Sequence, residues 1–264
     1  MTTTTSIPPA AKPAGANPDT SPSGRVLAVT GGASGLGRAI ATTAAEEGWT
    51  VALLDRDIDA VRSVGDELGM FVAPADVTCP DQLIVAFTRI AEELGPITGL
   101  VNSAGLTRPG RSEDLAVDDW KTVIDVDLNG SFYSCQAAFP HLGDESSIVN
   151  IASIASVRGL PQRAAYTAAK AGVVGMTRAL AAEWASAGVR VNAVGPSWVD
   201  TPLVRGLVDT GTIEEHEMTS RVPLGRLCSL DDVARSVLFL LSPDTSGFVT
   251  GQTLYVDGGF VWAG

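Results

Sequence analysis

The chain has 264 residues, 45% of them hydrophobic, and a formal net charge of −12 at pH 7. It is long enough to bury a large core as one α/β domain. Its acidity disfavours nucleic acids and anionic membranes as partners, because both require clustered Lys and Arg.

The cysteines and histidines are few and scattered. The three cysteines form no CxxC pair, and the two histidines lie in no cluster with metal-ligand spacing. We therefore expect a reducing, cytoplasmic location and no metal site.

Residues 1–24 are rich in Thr, Pro and Ala and contain no apolar signal-peptide core. This composition predicts a flexible N-terminal tail. No apolar run reaches the roughly 18 residues that a membrane-spanning helix needs. From residue 25 to the C-terminus no linker or repeat interrupts the chain, which indicates a single domain.

Short apolar runs alternate with amphipathic helical stretches from residue 25 onward. Seven runs predict strands, at residues 25–30, 50–55, 70–75, 97–102, 146–153, 189–194 and 253–258. Most of them are continuously apolar, as strands buried on both faces of a parallel sheet are. The alternation predicts an α/β fold, with a doubly wound, parallel, seven-stranded sheet covered by helices on both faces. The irregular span 197–228 is where a substrate lid is expected.

A glycine-rich turn, TGGASGLG at residues 30–37, follows the first predicted strand and opens the first helix. Glycines permit a tight turn and close backbone approach, and the helix N-terminus offers free N–H groups to a pyrophosphate. Tight packing of the helix on the strand is the alternative interpretation. The turn alone is a weak signal, and the next strands add to it.

Acidic residues follow the second and third predicted strands. A carboxylate at Asp55 would bind the ribose hydroxyls of NAD and repel the 2′-phosphate of NADP. The neighbouring Arg56 could instead pair with such a phosphate. Asp76 would meet the adenine. Alternatively, each aspartate caps the helix that follows it. The prediction is therefore NAD rather than NADP.

Tyr166 and Lys170 lie four residues apart in YTAAK, in a chain with only three tyrosines and three lysines. Residues i and i+4 share one face of a helix, so both side chains would project into one cleft. A free phenol titrates near pH ~10, and a nearby ammonium favours its ionised form. Ser153 ends the fifth predicted strand, at the edge where open α/β sheets bind ligands. The three residues suit proton transfer.

These motifs, in this order, resemble the classical short-chain dehydrogenase/reductase family over about 240 residues. The family's NNAG motif appears as NSAG at 102–105, and its PG motif as Pro196 followed by Ser197. Ser103 replaces the second Asn of the first motif, and Ser197 replaces the Gly of the second. We therefore expect some change in the local backbone. The resemblance implies a Rossmann fold. It also implies interconversion of a secondary alcohol and its ketone by hydride transfer, with Tyr166 as general acid and base.

The resemblance and the segments around the expected cleft give the following candidate residues. Catalysis is assigned to Asn129, Ser153, Tyr166 and Lys170. Cofactor binding is assigned to Gly31, Ser34, Gly35, Leu36, Gly37, Asp55, Asp76, Val77, Asn102, Ala104, Gly105, Tyr166, Lys170, Pro196, Val199 and Thr201. Substrate binding is assigned to Ser153, Gln162, Tyr166 and Trp198, with Leu203, Leu207 and Met218 as further apolar wall.

Two other functions stay open at this point. One is reduction of a 3-oxoacyl carrier-protein substrate with NADPH, which Asp55 and the acidic net charge disfavour. The other is a catalytically silent cofactor-binding scaffold. The expected partners are a small-molecule substrate and, by the resemblance, further copies of the chain in a homotetramer or homodimer, without nucleic acid or membrane.

Overall fold

The computed structural model describes residues 24–209 and 214–263. Except for Gly24, the predicted tail lies outside these residues, and so do residues 210–213 of the predicted lid. The strands are β1 (Val26–Thr30), β2 (Thr50–Leu54), β3 (Phe71–Val72), β4 (Ile97–Asn102), β5 (Leu142–Ile151), β6 (Arg190–Pro196) and β7 (Thr253–Val256).

The helices alternate with these strands along the chain. They are α1 (Gly35–Glu46), α2 (Ile58–Leu68), α3 (Pro80–Leu94), α4 (Val117–Ile124), α5 (Gly130–Ala138), α6 (Ala164–Trp184), α7 (Pro202–Asp209), α8 (Glu215–Thr219), α9 (Leu230–Leu241) and α10 (Pro243–Ser246). A π-helical turn at Asp125–Asn129 joins α4 to α5. In the described part of the chain, no helix is both long and apolar enough to cross a bilayer.

All the strands pair in parallel, in the order β3-β2-β1-β4-β5-β6-β7. This confirms the predicted seven-stranded sheet. The chain runs outward from β1 in one direction and from β4 in the other. At such a switch point the loops that follow the two strands separate and leave a crevice at the carboxyl edge of the sheet.

The core lies in two layers, one on each face of the sheet. Along β1, Val26 and Ala28 pack into one layer and Leu27 and Val29 into the other, as the two-residue period of a strand requires. Helices α3, α5 and α6 cover the first face, and α1, α2 and α9 cover the second. Each fully buried large apolar side chain stabilises the fold by about 1.5–3 kcal/mol. Burial on both faces holds the carboxyl edge rigid.

The bounds of β3 and β5 differ most from their predictions. β3 has two residues rather than six, but Ala73 still donates a backbone hydrogen bond to Leu53 of β2 at 3.0 Å, and Ala75 donates one to Asp55, just after β2, at 3.1 Å. β5 begins at Leu142, four residues before its predicted start. The early part of β5 carries exposed Asp144 and Glu145, so its apolar pattern begins later than the strand does.

Candidate active site

A cleft of about 640 Å³ opens at the carboxyl edge of the sheet, where the crevice between β1 and β4 is expected. It is lined by all but three of the predicted site residues, namely Gly31, Ser34, Gly35, Leu36, Gly37, Asp55, Asp76, Val77, Ala104, Gly105, Ser153, Tyr166, Lys170, Pro196, Trp198, Val199 and Thr201. The exceptions are Asn102, Asn129 and Gln162. The sequence therefore locates most of the cleft and misplaces three side chains.

The glycine-rich turn forms one end of the cleft. Gly31 has a φ of +68°, and a Cβ added there would lie 2.8 Å from the backbone of Ala104. The backbones of the loops after β1 and β4 are therefore in close contact at this point. Ser34 precedes α1, and its side chain makes no capping hydrogen bond. The first N–H groups of α1 thus lie at the cleft without a side-chain acceptor, which fits a pyrophosphate.

The Asp55 carboxylate lies in the same part of the cleft and is fixed by two backbone amides. It accepts hydrogen bonds from the N–H of Ala33 at 3.2 Å and of Asp57 at 3.1 Å. Asp57, rather than Asp55, caps α2, so the alternative role of Asp55 as a helix cap does not apply. A carboxylate held in this way fits a pair of ribose hydroxyls. Arg56 lines the cleft beside it.

Asp76 closes a local turn at the edge of the cleft. Its Oδ1 accepts hydrogen bonds from the backbone N–H and the hydroxyl of Thr78, at 2.9 and 2.8 Å. Cys79 is the residue that precedes α3, so Asp76 is not its cap either. The turn holds Asp76 and Val77 at the cleft wall.

Asn102 lies beneath the cleft rather than in it. Its amide is buried and donates hydrogen bonds to Asn150 Oδ1 at 2.8 Å and to Cys135 Sγ at 3.1 Å. These contacts tie β4 to β5 and α5, so the side chain of Asn102 belongs to the scaffold beneath the cleft. Thr30 has a related position, because its hydroxyl accepts the N–H groups of Ser103 and Ala104 at 3.2 and 3.3 Å.

Ser153, Tyr166 and Lys170 come together at the other end of the cleft. Ser153 follows β5 by two residues, and its Oγ accepts the N–H of Ala155 at 3.1 Å. Its own hydroxyl proton therefore stays available to a bound molecule. Tyr166 and Lys170 occupy successive turns of α6, and Lys170 Nζ lies 5.5 Å from the centre of the Tyr166 ring. The expected Tyr–Lys geometry is present.

Lys170 forms a buried ion pair with Asp127, a residue that was not among the candidates. Nζ lies 3.1 Å from Asp127 Oδ2 and donates a hydrogen bond to the carbonyl of Ile151 at 2.9 Å. Burial, the largest influence, lowers the pKa of Lys170, but the charges of Asp127 and Tyr166 and the hydrogen bond with Asp127 together raise it above its usual value. Lys170 therefore stays an ammonium.

Asn129 does not occupy the position predicted for it. Its amide donates to Asp125 Oδ1 at 2.9 Å, and the residue lies outside the cleft. Asp127 faces Lys170 instead, and its second oxygen accepts the N–H of Leu106 at 2.8 Å. The π-helical turn at Asp125–Asn129 adds a residue to the local period. A regular helical period therefore assigns the wrong residue of DVDLN to the cleft.

The segment after β6 forms the wall opposite the glycine turn. Pro196, Trp198, Val199 and Thr201 line the cleft, as do Val204 and Met218 from the expected lid. The side chains of Leu203 and Leu207 lie outside the described residues. Among the described residues, only Glu145 and Gln162 have a positive φ without being glycine. The expected change of backbone at Ser103 and Ser197 is therefore not a left-handed one.

Gln162 is exposed in the turn before α6 and does not reach the cleft. The next residue, Arg163, lines the cleft in its place, together with Thr107 from the loop after β4. Arg163 immediately precedes α6, and its only signal in the sequence was that it lies three residues before Tyr166. Thr107 had no signal beyond its proximity to the NSAG motif.

Comparison with known proteins gives related enzymes over most of the chain. The family model described as enoyl-(acyl carrier protein) reductase matches residues 31–261. The 3-oxoacyl-[acyl-carrier-protein] reductase FabG of Thermotoga maritima is 38% identical over 245 residues, which cover 90% of this chain and 98% of the relative. The cyclohexanol dehydrogenase of an Acinetobacter species is 37% identical over 244 residues, covering 89% and 94%.

A solved structure shows the same fold. The 3-ketoacyl-(acyl-carrier-protein) reductase of Brucella melitensis, crystallised with NADH, superposes with a TM-score of 0.83 at 32% sequence identity, over 90% of this chain and 98% of the other. The chain belongs to the short-chain dehydrogenase/reductase family of oxidoreductases, whose fold binds a nicotinamide cofactor.

Proposed function

We propose that this protein uses NAD(H) to interconvert a secondary alcohol and its ketone. The observation that carries the proposal is the position of Tyr166 beside Lys170, with Ser153 buried near them in one cleft. A bound nicotinamide would supply the acceptor or donor of the hydride. The protein then has to hold the substrate oxygen and move one proton.

Tyr166 is the group that moves the proton. Among the described residues its hydroxyl has no hydrogen-bond partner, so it is free to meet the substrate oxygen. When an alcohol is oxidised, the phenol oxygen takes the proton from the carbinol hydroxyl, and in the reverse direction it returns it. Ser153 Oγ already accepts the N–H of Ala155 through one lone pair. Its own hydroxyl proton is donated to the same substrate oxygen, which holds that oxygen in place.

Lys170 supplies the positive charge that stabilises the ionised phenol. Ile151 and Asp127 engage two of its three N–H groups, which leaves one for the cleft. Asp127 is a positioning residue. It lines the cleft, where it contacts Lys170 and, through Leu106, the loop after NSAG, and we assign it no role as an acid or base. It replaces the role that the sequence assigned to Asn129.

Asp55 supports NAD as the cofactor. Its carboxylate is fixed at the cleft by two amides, and it would repel the extra phosphate of NADP. Arg56 is exposed, so its side chain is freer to turn toward solvent than the Asp55 carboxylate is. We expect the kcat/KM for NAD⁺ to exceed that for NADP⁺ with the same alcohol.

Reduction of 3-oxoacyl thioesters is the second candidate, and the similarity to the Thermotoga maritima enzyme favours it. One screen separates the two. Purified protein is mixed with NAD⁺ or NADP⁺ and a panel of secondary alcohols, and separately with NADH or NADPH and acetoacetyl-CoA, and absorbance of the reduced cofactor is followed. Turnover of acetoacetyl-CoA alone would favour the second candidate. Cofactor binding without any turnover would favour the silent scaffold.

We further propose that copies of this chain assemble into a homotetramer or homodimer in the cytoplasm. Aromatic side chains support assembly, because Trp262 is 80% exposed, and Trp120 and Phe132 are exposed on α4 and α5. The free cysteines Cys79, Cys135 and Cys228 suit a reducing location. Light scattering coupled to size exclusion tests the assembly, and a mass of 27.2 kDa would contradict it.

A further inference from the structure

Arg163 brings an unpaired positive charge into the cleft. It immediately precedes α6 and lines the cleft together with Tyr166. Its Nη1 is buried and has no hydrogen-bond partner, and no carboxylate in the described residues pairs with it. Neighbouring arginines differ in this respect, because Arg108 pairs with Asp119 at 3.5 Å and Arg111 pairs with Glu113. A buried guanidinium nitrogen without an acceptor indicates that a ligand supplies one.

A second buried group in the same cleft also has no partner. Thr107 Oγ1 makes no hydrogen bond within the described residues and lines the cleft. The loops that carry the two groups are joined, since Gly110 donates its N–H to the carbonyl of Gln162 at 3.1 Å. Arg163 and Thr107 therefore belong to loops that are joined beside the cleft, and both residues line it.

The surrounding walls are apolar. Leu106 precedes Thr107 in the chain, the carbonyl of Leu160 accepts the N–H of Arg163 at 3.2 Å, and both leucines line the cleft, as Trp198 and Met218 do. Asp55 and Asp76 belong to the segments after β2 and β3, at the opposite side of the sheet order from β5 and β6. An apolar wall with one cation suits a ligand that has an apolar body and one anionic group.

We propose that Arg163, together with Thr107, binds a carboxylate of the substrate, so that the substrate is a hydroxy acid with an apolar body. The inference rests on the proposed function and narrows it. The planar fork of a guanidinium matches the two oxygens of a carboxylate. Arg163 immediately precedes α6 and lies three residues before Tyr166, and both line the cleft, so one substrate can meet Arg163 with its carboxylate and Tyr166 with its carbinol.

The first experiment compares hydroxy acids with their methyl esters. The probes are 3-hydroxybutyrate and 4-hydroxycyclohexanecarboxylate, each with its ester, in assays with NAD⁺ and NADP⁺. Wild type should prefer the acid in kcat/KM by roughly tenfold to a hundredfold, the range that one charged hydrogen-bonded contact provides. Arg163→Met should remove this preference, so that kcat/KM for the acid no longer exceeds that for the ester. Arg163→Lys should recover part of the preference, because it keeps the charge but not the fork.

The second experiment measures binding without turnover. Cyclohexanecarboxylate and cyclohexanecarboxamide are titrated into the protein by calorimetry, with and without NADH. Wild type should bind the carboxylate at least about tenfold more tightly, and Arg163→Met should bind both equally. Thr107→Val should reduce the difference by less than Arg163→Met does. Arg111→Met is the matched control, since this exposed arginine lies outside the cleft and should change nothing.

The outcomes separate the two proposals. If no alcohol or ketone is turned over but the carboxylate still binds through Arg163, the redox function fails and the anion site stands. If neutral alcohols are turned over and Arg163→Met leaves the ratio of acid to ester and the ratio of carboxylate to carboxamide unchanged, the anion site is refuted. Thermal unfolding of each variant shows whether a loss of carboxylate preference reflects misfolding. If Arg163→Met is misfolded, Arg163→Lys is the folded variant in which the preference is measured.

Discussion

The two ends of the cleft are held in different ways. At the cofactor end, polar groups are fixed by neighbouring backbone: two amides hold Asp55, and Thr30 holds two amides of the loop after β4. At the substrate end, Arg163 and Thr107 come from loops that are far apart in sequence. Within the described residues, neither Arg163 Nη1 nor Thr107 Oγ1 has a hydrogen-bond partner. Hydrogen bonds with backbone amides thus hold the polar groups of the first end, whereas the second end presents buried polar groups that have no partner among the described residues.

The largest expected effect is at the proton-transfer group, where the two ends meet. Tyr166→Phe removes the hydroxyl and keeps the ring, so we expect kcat to fall by at least about a thousandfold. The dissociation constant for NADH should change by less than about threefold, because the cofactor end is built by other residues. Steady-state kinetics and fluorescence titration of NADH measure the two quantities. A variant that kept a tenth of its activity would refute the proton-transfer role.

A large effect is also expected at the buried ion pair. Asp127→Asn leaves the Lys170 ammonium buried without a counter-charge, which should cost on the order of 3 kcal/mol of unfolding free energy. It should also lower kcat by roughly tenfold to a hundredfold, because Lys170 loses its fixed position. Asn129→Ala is the matched control and should change kcat by less than about threefold, since within the described residues the Asn129 side chain is hydrogen-bonded only to Asp125. Larger losses in Asn129→Ala would restore the sequence-based assignment.

The same pair makes stability depend on alkaline pH. Because the pKa of Lys170 is raised above its ordinary value of 10.5, its contribution is fully present below about pH 10.5 and is lost as the pH rises through the higher, folded-state pKa. Urea unfolding from about pH 9 to pH 12 should therefore show a steeper loss of unfolding free energy above about pH 10.5 in wild type than in Lys170→Met. Parallel curves would contradict a stabilising charge pair.

A moderate effect is expected at the cofactor end. Asp55→Asn removes the charge that repels a 2′-phosphate, so the ratio of kcat/KM for NADP⁺ to that for NAD⁺ should rise roughly tenfold. Arg56→Ala should move the ratio in the opposite direction and by less. Both ratios are measured with one alcohol. If Asp55→Asn left the ratio unchanged, the cofactor preference would have to come from elsewhere in the cleft.

The sequence predicts the first end better because its signals are local. Apolar runs located all seven strands, and a glycine turn followed by α1 defines its own geometry through backbone rules. Prediction failed where a contact depends on tertiary placement. Because of the π-helical turn, Asp127 rather than Asn129 faces Lys170. The side chain of Asn102 is hydrogen-bonded to Asn150 and therefore lies beneath the cleft. A strand period or helix period cannot show such contacts.

The smallest effect is expected at Gln162, where the sequence predicted a substrate contact. Its φ of +60° costs a residue with a Cβ about 1 kcal/mol, a cost that glycine avoids. Gln162→Gly should therefore keep kcat/KM within about twofold. Its unfolding free energy should rise by less than about 1 kcal/mol, since a more flexible unfolded chain offsets part of the gain. Kinetics with a hydroxy acid and thermal unfolding test both values. A tenfold loss in kcat/KM would mean that the turn itself positions Arg163, and the substrate end would then depend on backbone as the cofactor end does.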